Sequence, residues 1–320
     1  MELLQINEID YTELRHQKFD YFIAACGYQP RCTYLAEKTD AVLAEKHLLI
    51  IDEPDPGENR SRNLQVFARL GFNMHHASVK ESRNVEELVS KITGKPADHL
   101  NLLIDYSCMP KMWYSVLVDS ITRNNFRAGK ISLFLSYTPK KFDCVSSNPS
   151  VDYIGPILQN KDKLKDKRPV SMVISLDNKH QSIVEAIKQI RPANILAFIP
   201  ECSHDPEYTK MVLQNNKALL ERFGITRVIH YDARHPGIIN SLLTTHCLDQ
   251  RIESEVMIVP QGPKTFSMMA MLLSVRYPDI KLWEIIDRQK KPNADHGFAA
   301  AEPVVVKVTF ADDEEDEFLN

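Results

Sequence analysis

Glycine is scarce in this chain, with ten in 320 residues. A glycine-rich phosphate loop has little to draw on, and none of its usual forms is present. No GxGxxG follows the first apolar stretch, so a dinucleotide is not expected and no other cofactor is called for. Walker A and GxSxG sequences are missing as well. The six cysteines, at positions 26, 32, 108, 144, 202 and 247, form no CxxC pair. Spread in this way they read as reduced thiols of a cytoplasmic protein, with neither a disulfide framework nor a zinc site. Apolar runs are short and interrupted, so nothing is expected to span a bilayer. The opening MELLQINEIDYTEL carries acids and lacks the basic–apolar–small order of a secretion signal. A net charge of −4 gives no general attraction to nucleic acid or anionic membrane. The nearest approaches to a nuclease-like acid and lysine cluster, Asp52-Glu53 and Glu201/Asp205/Lys210, have the spacing of loop charges.

What remains is an ordinary globular composition, long enough for two cores. Its most informative stretch is Leu102–Val118, LLIDYSCMPKMWYSVLV. Leu102–Asp105 reads as a buried strand ending in an acid, and from Lys111 a helical spacing takes over at Trp113, Val116, Leu117 and Ile121. The loop between them holds Asp105, Ser107 and Lys111. In an open α/β sheet that loop lies where ligands bind, beyond a strand end and before a helix N-terminus. Equally, Ser107 can cap the helix while Asp105 and Lys111 form a solvated pair.

Around this stretch the first half alternates strands and helices. Strands are expected at Phe19–Cys26, His47–Asp52, Met74–Val79, Leu102–Asp105 and Ile131–Tyr137, with helices at Cys32–Ala44, Asn63–Leu70, Val85–Thr93 and from Lys111. The segment before Lys18 is a lead-in helix or an edge element. Gly27-Tyr28-Gln29-Pro30-Arg31 follows the first strand, either as a ligand-facing loop or as a tight turn. Residues 138–168, with Pro139, Pro149, Pro156 and the run NKDKLKDKR, read as a connection between domains.

The second half repeats the plan. Strands are expected at Val170–Leu176, Asn194–Pro200, Arg227–Tyr231, Glu255–Pro260 and Lys281–Ile285, with helices at His180–Ile190, Tyr208–Phe223, Gly237–Leu248 and Thr265–Val275. Pro260-Gln261-Gly262-Pro263-Lys264 then stands where Asp105 to Lys111 stands in the first half, and both loops end in a lysine at a helix start. The fold class expected is α/β, with two tandem Rossmann-like doubly wound parallel sheets, in units 1–150 and 169–290. Residues 291–320 form an extension, with the apolar run PVVVKVTF as an edge strand or docking segment and an acidic tail, ADDEEDEFLN. His204, His230 and His235 fall in loops after second-half strands, where a base or metal ligand can lie but where surface histidines are also common.

On this plan, Asp105-x-Ser107-x-x-x-Lys111 resembles the pattern [DN]-x-[ST]-x-x-x-[RK] that follows the fourth strand of CARF domains, Rossmann-fold sensors of cyclic oligoadenylates in prokaryotic antiviral defence. Two such units in one chain are similar to the SAVED sensors of cyclic-nucleotide systems. The resemblance implies that Ser107 and Lys111 contact ligand phosphate or ribose, framed by Gly27, Tyr28 and Arg31. The second half departs from the pattern, with Ile258 and Pro260 in place of the acid and hydroxyl, while Gly262 and Lys264 keep its spirit beside Gln261. A composite site drawing on two unlike loops is therefore expected. The implied partners are a nucleotide second messenger and a separate effector protein, with room for a homo-oligomer and no membrane. Two other classes stay open: an enzyme acting on a nucleotide or nucleic acid, with Asp105 or a second-half histidine as base, and a scaffold that recruits a partner through the acidic tail.

Overall fold

The computed structural model describes residues 2–39, 44–52, 57–79, 81–123, 128–141, 150–158, 164, 168–222, 225–288 and 298–311. Two compact units emerge, Met1–Pro139 with Gly297–Asn320, and Lys140–His296.

The first unit runs β1 (Glu2–Ile9), α1 (Tyr11–Leu14), β2 (Tyr21–Cys26), a 3-10 turn (Pro30–Thr33), α2 (Tyr34–Lys38), β3 (Glu45–Ile51), α3 (Gly57–Arg69), β4 (Asn73–Ala77), α4 (Arg83–Thr93), β5 (Ala97–Asp105), α5 (Lys111–Arg123) and β6 (Ala128–Tyr137). The second runs β7 (Val151–Pro156), β8 (Val170–Ser175), α6 (His180–Ile190), β9 (Asn194–Glu201), α7 (Pro206–Arg222), β10 (Ile225–Asp232), α8 (Pro236–Arg251), β11 (Glu255–Pro260), α9 (Lys264–Arg276) and β12 (Lys281–Asp287). The chain ends its described course in β13 (Val304–Ala311), back in the first unit.

The two sheets have the same wiring. In the first the order is β1-β13-β6-β5-β2-β3-β4, and in the second β10-β9-β8-β11-β12-β7. Counted within each unit, the parallel strands lie in the order third, second, first, fourth, fifth, and each sheet gains antiparallel strands beside its fifth. Both are Rossmann-like doubly wound sheets. The central parallel strands are buried on both faces, which is why β2 (YFIAAC) and β11 (EVMIVP) read as nearly unbroken apolar runs, while the edge strand β4 is largely exposed.

Two boundaries differ from the sequence reading. The expected connection at 138–168 contains β7, an edge strand paired antiparallel to β12. Its sequence, VDYIGP, carries an acid and ends in Gly-Pro, which an edge strand tolerates but a central one does not. Nor does the described part of the expected extension, 298–311, stand apart. β13 fills the gap between β1 and β6, antiparallel to both, and its valines are buried in the first unit's sheet. The expected helix Cys32–Ala44 resolves into the 3-10 turn and the short α2, and residues 40–43 lie outside the described residues, as does the acidic tail from residue 312.

One face of the first sheet packs Phe22, Leu48, Leu103, Phe134 and Val305 against Leu35 and Phe67. On the other face lies a histidine pair, one member buried and the other partly so. His47, 1% exposed, has Nδ1 2.9 Å from His75 Nε2 and Nε2 3.2 Å from Glu45 Oε1. Burial, and then the neighbouring His75, holds the His47 pKa below the ordinary value of 6.5, and burial lowers that of His75; Lys91 and Lys95 push the same way and Glu45 opposes. Below pH 6.5 the unfolded chain therefore binds protons that the folded chain resists, so stability is lost as pH falls through that value. Thermal melting should give a lower Tm at about pH 5 than at about pH 7.5, and the double variant His47→Gln/His75→Gln should flatten the difference.

Candidate functional site

In a sheet of this order the chain leaves the first strand toward the second and the third, and then crosses to place the fourth on the other side. The loops after the first and fourth strands diverge there, and open α/β proteins bind ligands in the crevice between them. In the first unit those loops are Gly27–Arg31, after β2, and Asp105–Lys111, after β5. In the second they are Ser175–Lys179, after β8, and Pro260–Lys264, after β11.

The first-unit loops are fastened to each other by Arg31. It is 4% exposed, and one terminal nitrogen donates to the carbonyl of Ser107 at 2.9 Å. The other terminal nitrogen donates to the carbonyl of Thr138, and Nε reaches Gln29 Oε1 at 2.9 Å. The guanidinium also lies over the Tyr137 ring, 5.3 Å from its centroid. Asp105 and Ser107 are 3% and 1% exposed. The Ser107 amide donates to Asp105 Oδ1 at 3.0 Å, and Ser107 Oγ accepts from the Thr138 amide at 2.8 Å. Arg31, Asp105 and Ser107 thus build the floor of the crevice, while Tyr28 and Lys111 remain partly exposed at its edge.

Sequence reading missed two residues that shape the same place. Asn63, on α3, donates through Nδ2 to the carbonyls of Gly27 at 2.9 Å and Gln29 at 3.1 Å. Arg60, one turn earlier, is 2% exposed, donates to Ile51 O and to Tyr28 Oη at 3.4 Å, and lies 5.5 Å over the Tyr28 ring. The signal was there in Arg60-x-x-Asn63, which puts both side chains on one helix face. Gly27 is needed for the close approach, because a Cβ there would stand 3.1 Å from Cys108 Cβ.

In the second unit Gly262 has φ +57°, and a Cβ on it would come within 2.8 Å of both Leu176 O and Ser175 Oγ. Ser175 Oγ is 2.8 Å from Tyr231 Oη, and Thr265 Oγ1 donates to Ala233 O at 2.9 Å. Gln261 Nε2 is 3.5 Å from Ile285 O. The companion loop after β8 escaped the sequence reading. There the Lys179 amide donates to Asp177 Oδ1 at 2.8 Å, Lys179 Nζ pairs with Asp287 Oδ2 at 2.8 Å, and Ser182 Oγ donates to Asp287 Oδ1 at 2.5 Å. The site residues expected from sequence fall in both units, with Gly27, Tyr28, Arg31, Asp105, Ser107 and Lys111 in the first and Gln261, Gly262 and Lys264 in the second.

Of the three histidines, His204 and His235 follow β9 and β10 as expected, whereas His230 lies within β10 opposite Ile199 and not in a loop. His230 Nδ1 is 3.0 Å from Glu201 Oε1, and His235 Nε2 is 3.9 Å from Asp232 Oδ2. Burial, and then the Arg234 charge, lowers the His204 pKa. Among the described residues no group of three or more His, Cys, Asp or Glu is placed to hold a metal ion, and no helix is long and apolar enough to cross a membrane.

No family model matches the chain, and no curated protein matches it. Solved structures with some likeness include "AtPrR2 with NADP+ and (+)pinoresinol", at 10% identity and TM-score 0.24 over 82% of this chain and 88% of that one. Another is the Haemonchus contortus phosphoethanolamine N-methyltransferase 1 in complex with phosphoethanolamine and S-adenosylhomocysteine, at 9% identity and TM-score 0.23 over 92% of this chain and 88% of that one. Likeness at this level carries no argument, and the fold stands on the strand order.

Charge at the helix starts differs along the chain. Helices α3, α4 and α7 have a glutamate in the first turn, Glu58, Glu86 and Glu207, as the positive end of the helix dipole favours. Helices α5, α6 and α9, which begin at switch points, have no acid in the first turn, and neither has α8, which follows the edge strand β10. Lys111 opens α5, Lys264 opens α9, and Lys179 is the N-cap of α6.

Proposed function

We propose that the chain is a binding module for a phosphorylated nucleotide signal, of the cyclic-oligonucleotide kind sensed by the CARF and SAVED proteins it resembles, and that it reports to a separate effector. The observation that carries this is the placing of Lys111 at the start of α5 and Lys264 at the start of α9 with no first-turn acid, after the fourth parallel strand of each unit. A cation there adds to the positive end of the helix dipole, so an anion bound at that end is attracted both by the lysine and by the backbone N–H groups of the first turn. Asp105, Ser107 and Arg31 serve by holding the loop shape, and Lys111 and Tyr28 meet the ligand. For Arg31 and Ser107 this replaces direct contact with a positioning role, because their polar atoms are engaged by main-chain groups of the first unit.

Calorimetry with a panel of cyclic oligonucleotides tests the reading. Lys111→Ala should weaken binding by about 1.5–3 kcal/mol, the worth of a hydrogen bond to a charged group, with little change in Tm. Lys111→Arg should retain most of the affinity. Absence of heat with every member of the panel, at protein concentrations near 50 μM (on the order of a micromolar-affinity detection limit), would sink the proposal. A clear loss of stability in free Lys111→Ala, coupled to Asp105→Asn in a double-mutant cycle, would make the lysine structural instead.

A further inference from the structure

Cysteines far apart in sequence meet at the first-unit crevice. Cys32, at 2% exposure, sits under the Gly27 loop, where its Sγ accepts from the Gly27 amide at 3.1 Å and donates to Ala25 O at 3.1 Å. Cys108, in the loop after β5, is partly exposed, and its Sγ is 3.5 Å from the point a Cβ on Gly27 would occupy. Both sulfurs therefore flank Gly27, Cys32 Sγ on its amide and Cys108 Sγ on the side a Cβ would take. Cys26, fully buried, is the other thiol beside Cys32, and its Sγ also approaches Gly27 O and Arg60 O, each at 3.9 Å. All three are free thiols. A partly exposed cysteine beside a buried one, on two loops that Arg31 already fastens together, is the arrangement of a peroxide-sensitive pair.

We propose that Cys108 and Cys32 are a thiol–disulfide pair, which hydroperoxide oxidants convert into a bond tying the loop after β2 to the loop after β5. The Cys108 thiolate attacks one peroxide oxygen, the O–O bond breaks, and hydroxide leaves, so that Cys108 becomes a sulfenic acid. The Cys32 thiol then attacks the Cys108 sulfur, the S–O bond breaks, and the departing hydroxide takes the Cys32 proton as water. Two thiols and one hydrogen peroxide give one disulfide and two waters, with two electrons passing from sulfur to peroxide. Burial pushes the Cys32 thiol well above its usual range, which suits a partner that responds to a sulfenic acid next to it and does not meet peroxide itself. The bond consumes the hydrogen that Cys32 donates to Ala25 O, so oxidation loosens the Gly27 loop from β2 while fastening it to Cys108. None of these steps requires a nucleotide ligand.

The test is treatment of the full-length reduced protein with a small molar excess of hydrogen peroxide, alkylation of the remaining thiols, and peptide mapping by mass spectrometry. The expected product is a Cys32–Cys108 cross-link, with the mass of two hydrogens lost and restored by dithiothreitol. Cys202 and Cys247, buried thiols that desolvation pushes up to about 12, should remain alkylatable after unfolding. Cys32→Ser should leave Cys108 as a sulfenic acid trapped by dimedone. Since that buried substitution can impair folding, Cys108→Ala at the partly exposed position supplies the second arm and should abolish both the cross-link and the dimedone adduct. A Cys26–Cys32 cross-link, or full recovery of Cys32 and Cys108 as free thiols, would overturn the proposal.

Discussion

Replacing Arg31 with alanine is expected to destabilise the first unit by about 3–5 kcal/mol, while Arg31→Lys should recover roughly half of that loss. The side chain gives its two terminal nitrogens to two carbonyls on different strand ends, Ser107 O after β5 and Thr138 O after β6. Each hydrogen bond from a charged donor is worth about 1.5–3 kcal/mol, and alanine leaves both buried carbonyls without this partner. It also removes the guanidinium from the face of Tyr137. Lysine keeps the charge but is a single point donor, so it can serve one carbonyl well and not both. The chain has two tryptophans, Trp113 in the first unit and Trp283 in the second, which makes the measurement clean. In a Trp283→Phe background, fluorescence-monitored urea unfolding reports on Trp113, fully buried on α5. An Arg31→Ala midpoint equal to that of the parent would mean that the buried guanidinium holds nothing together, and the crevice floor described above would be wrong.

The same residue shows where sequence reading stops. The strands of both units were legible because a parallel sheet covered on both faces needs continuous apolar segments, and Glu255–Pro260 and His180–Ile190 were delimited to the residue. Loops after the first and fourth strands were legible as ligand-facing places for the same topological reason, and the strand order puts both of them at the switch points. What Arg31 and Ser107 do there was not legible. Their partners are main-chain atoms of Thr138, 107 and 31 residues away, and no local pattern encodes a bond to a distant backbone group. The cysteines teach the same lesson, since positions 32 and 108 have no motif between them and become neighbours through the pairing of β2 with β5. β7 was lost for a different cause. An edge strand needs only one partner and one covered face, so VDYIGP carries too little apolar alternation to stand out from a linker.

Gly262→Ala should strongly destabilise the second unit, by about 3 kcal/mol or more. Two terms add. At φ +57° a side chain is disfavoured by about 1–2 kcal/mol wherever it stands. Here the new Cβ would also lie 2.8 Å from the Leu176 carbonyl oxygen, a main-chain atom at the end of β8 that cannot rotate away, and 2.8 Å from Ser175 Oγ. Gly71 separates the terms, because it has φ +79° with nothing within 4 Å of its would-be Cβ. Gly71→Ala therefore reads the conformational term by itself, at about 1–2 kcal/mol, and the excess at Gly262 is the cost of the contact. Adding Ser175→Ala to Gly262→Ala should return only part of the excess, since the hydroxyl clash disappears and the carbonyl clash stays. It also removes the hydrogen bond to Tyr231. Amide hydrogen exchange along β8 and β11 provides the readout, because these two strands pair directly and flank the crevice. Protection in Gly262→Ala falling no further than in Gly71→Ala for its own strands would show that the loop after β11 yields freely. Lys264 would then not be held in a fixed place at the start of α9, and the phosphate-binding geometry proposed for the second unit would lose its support.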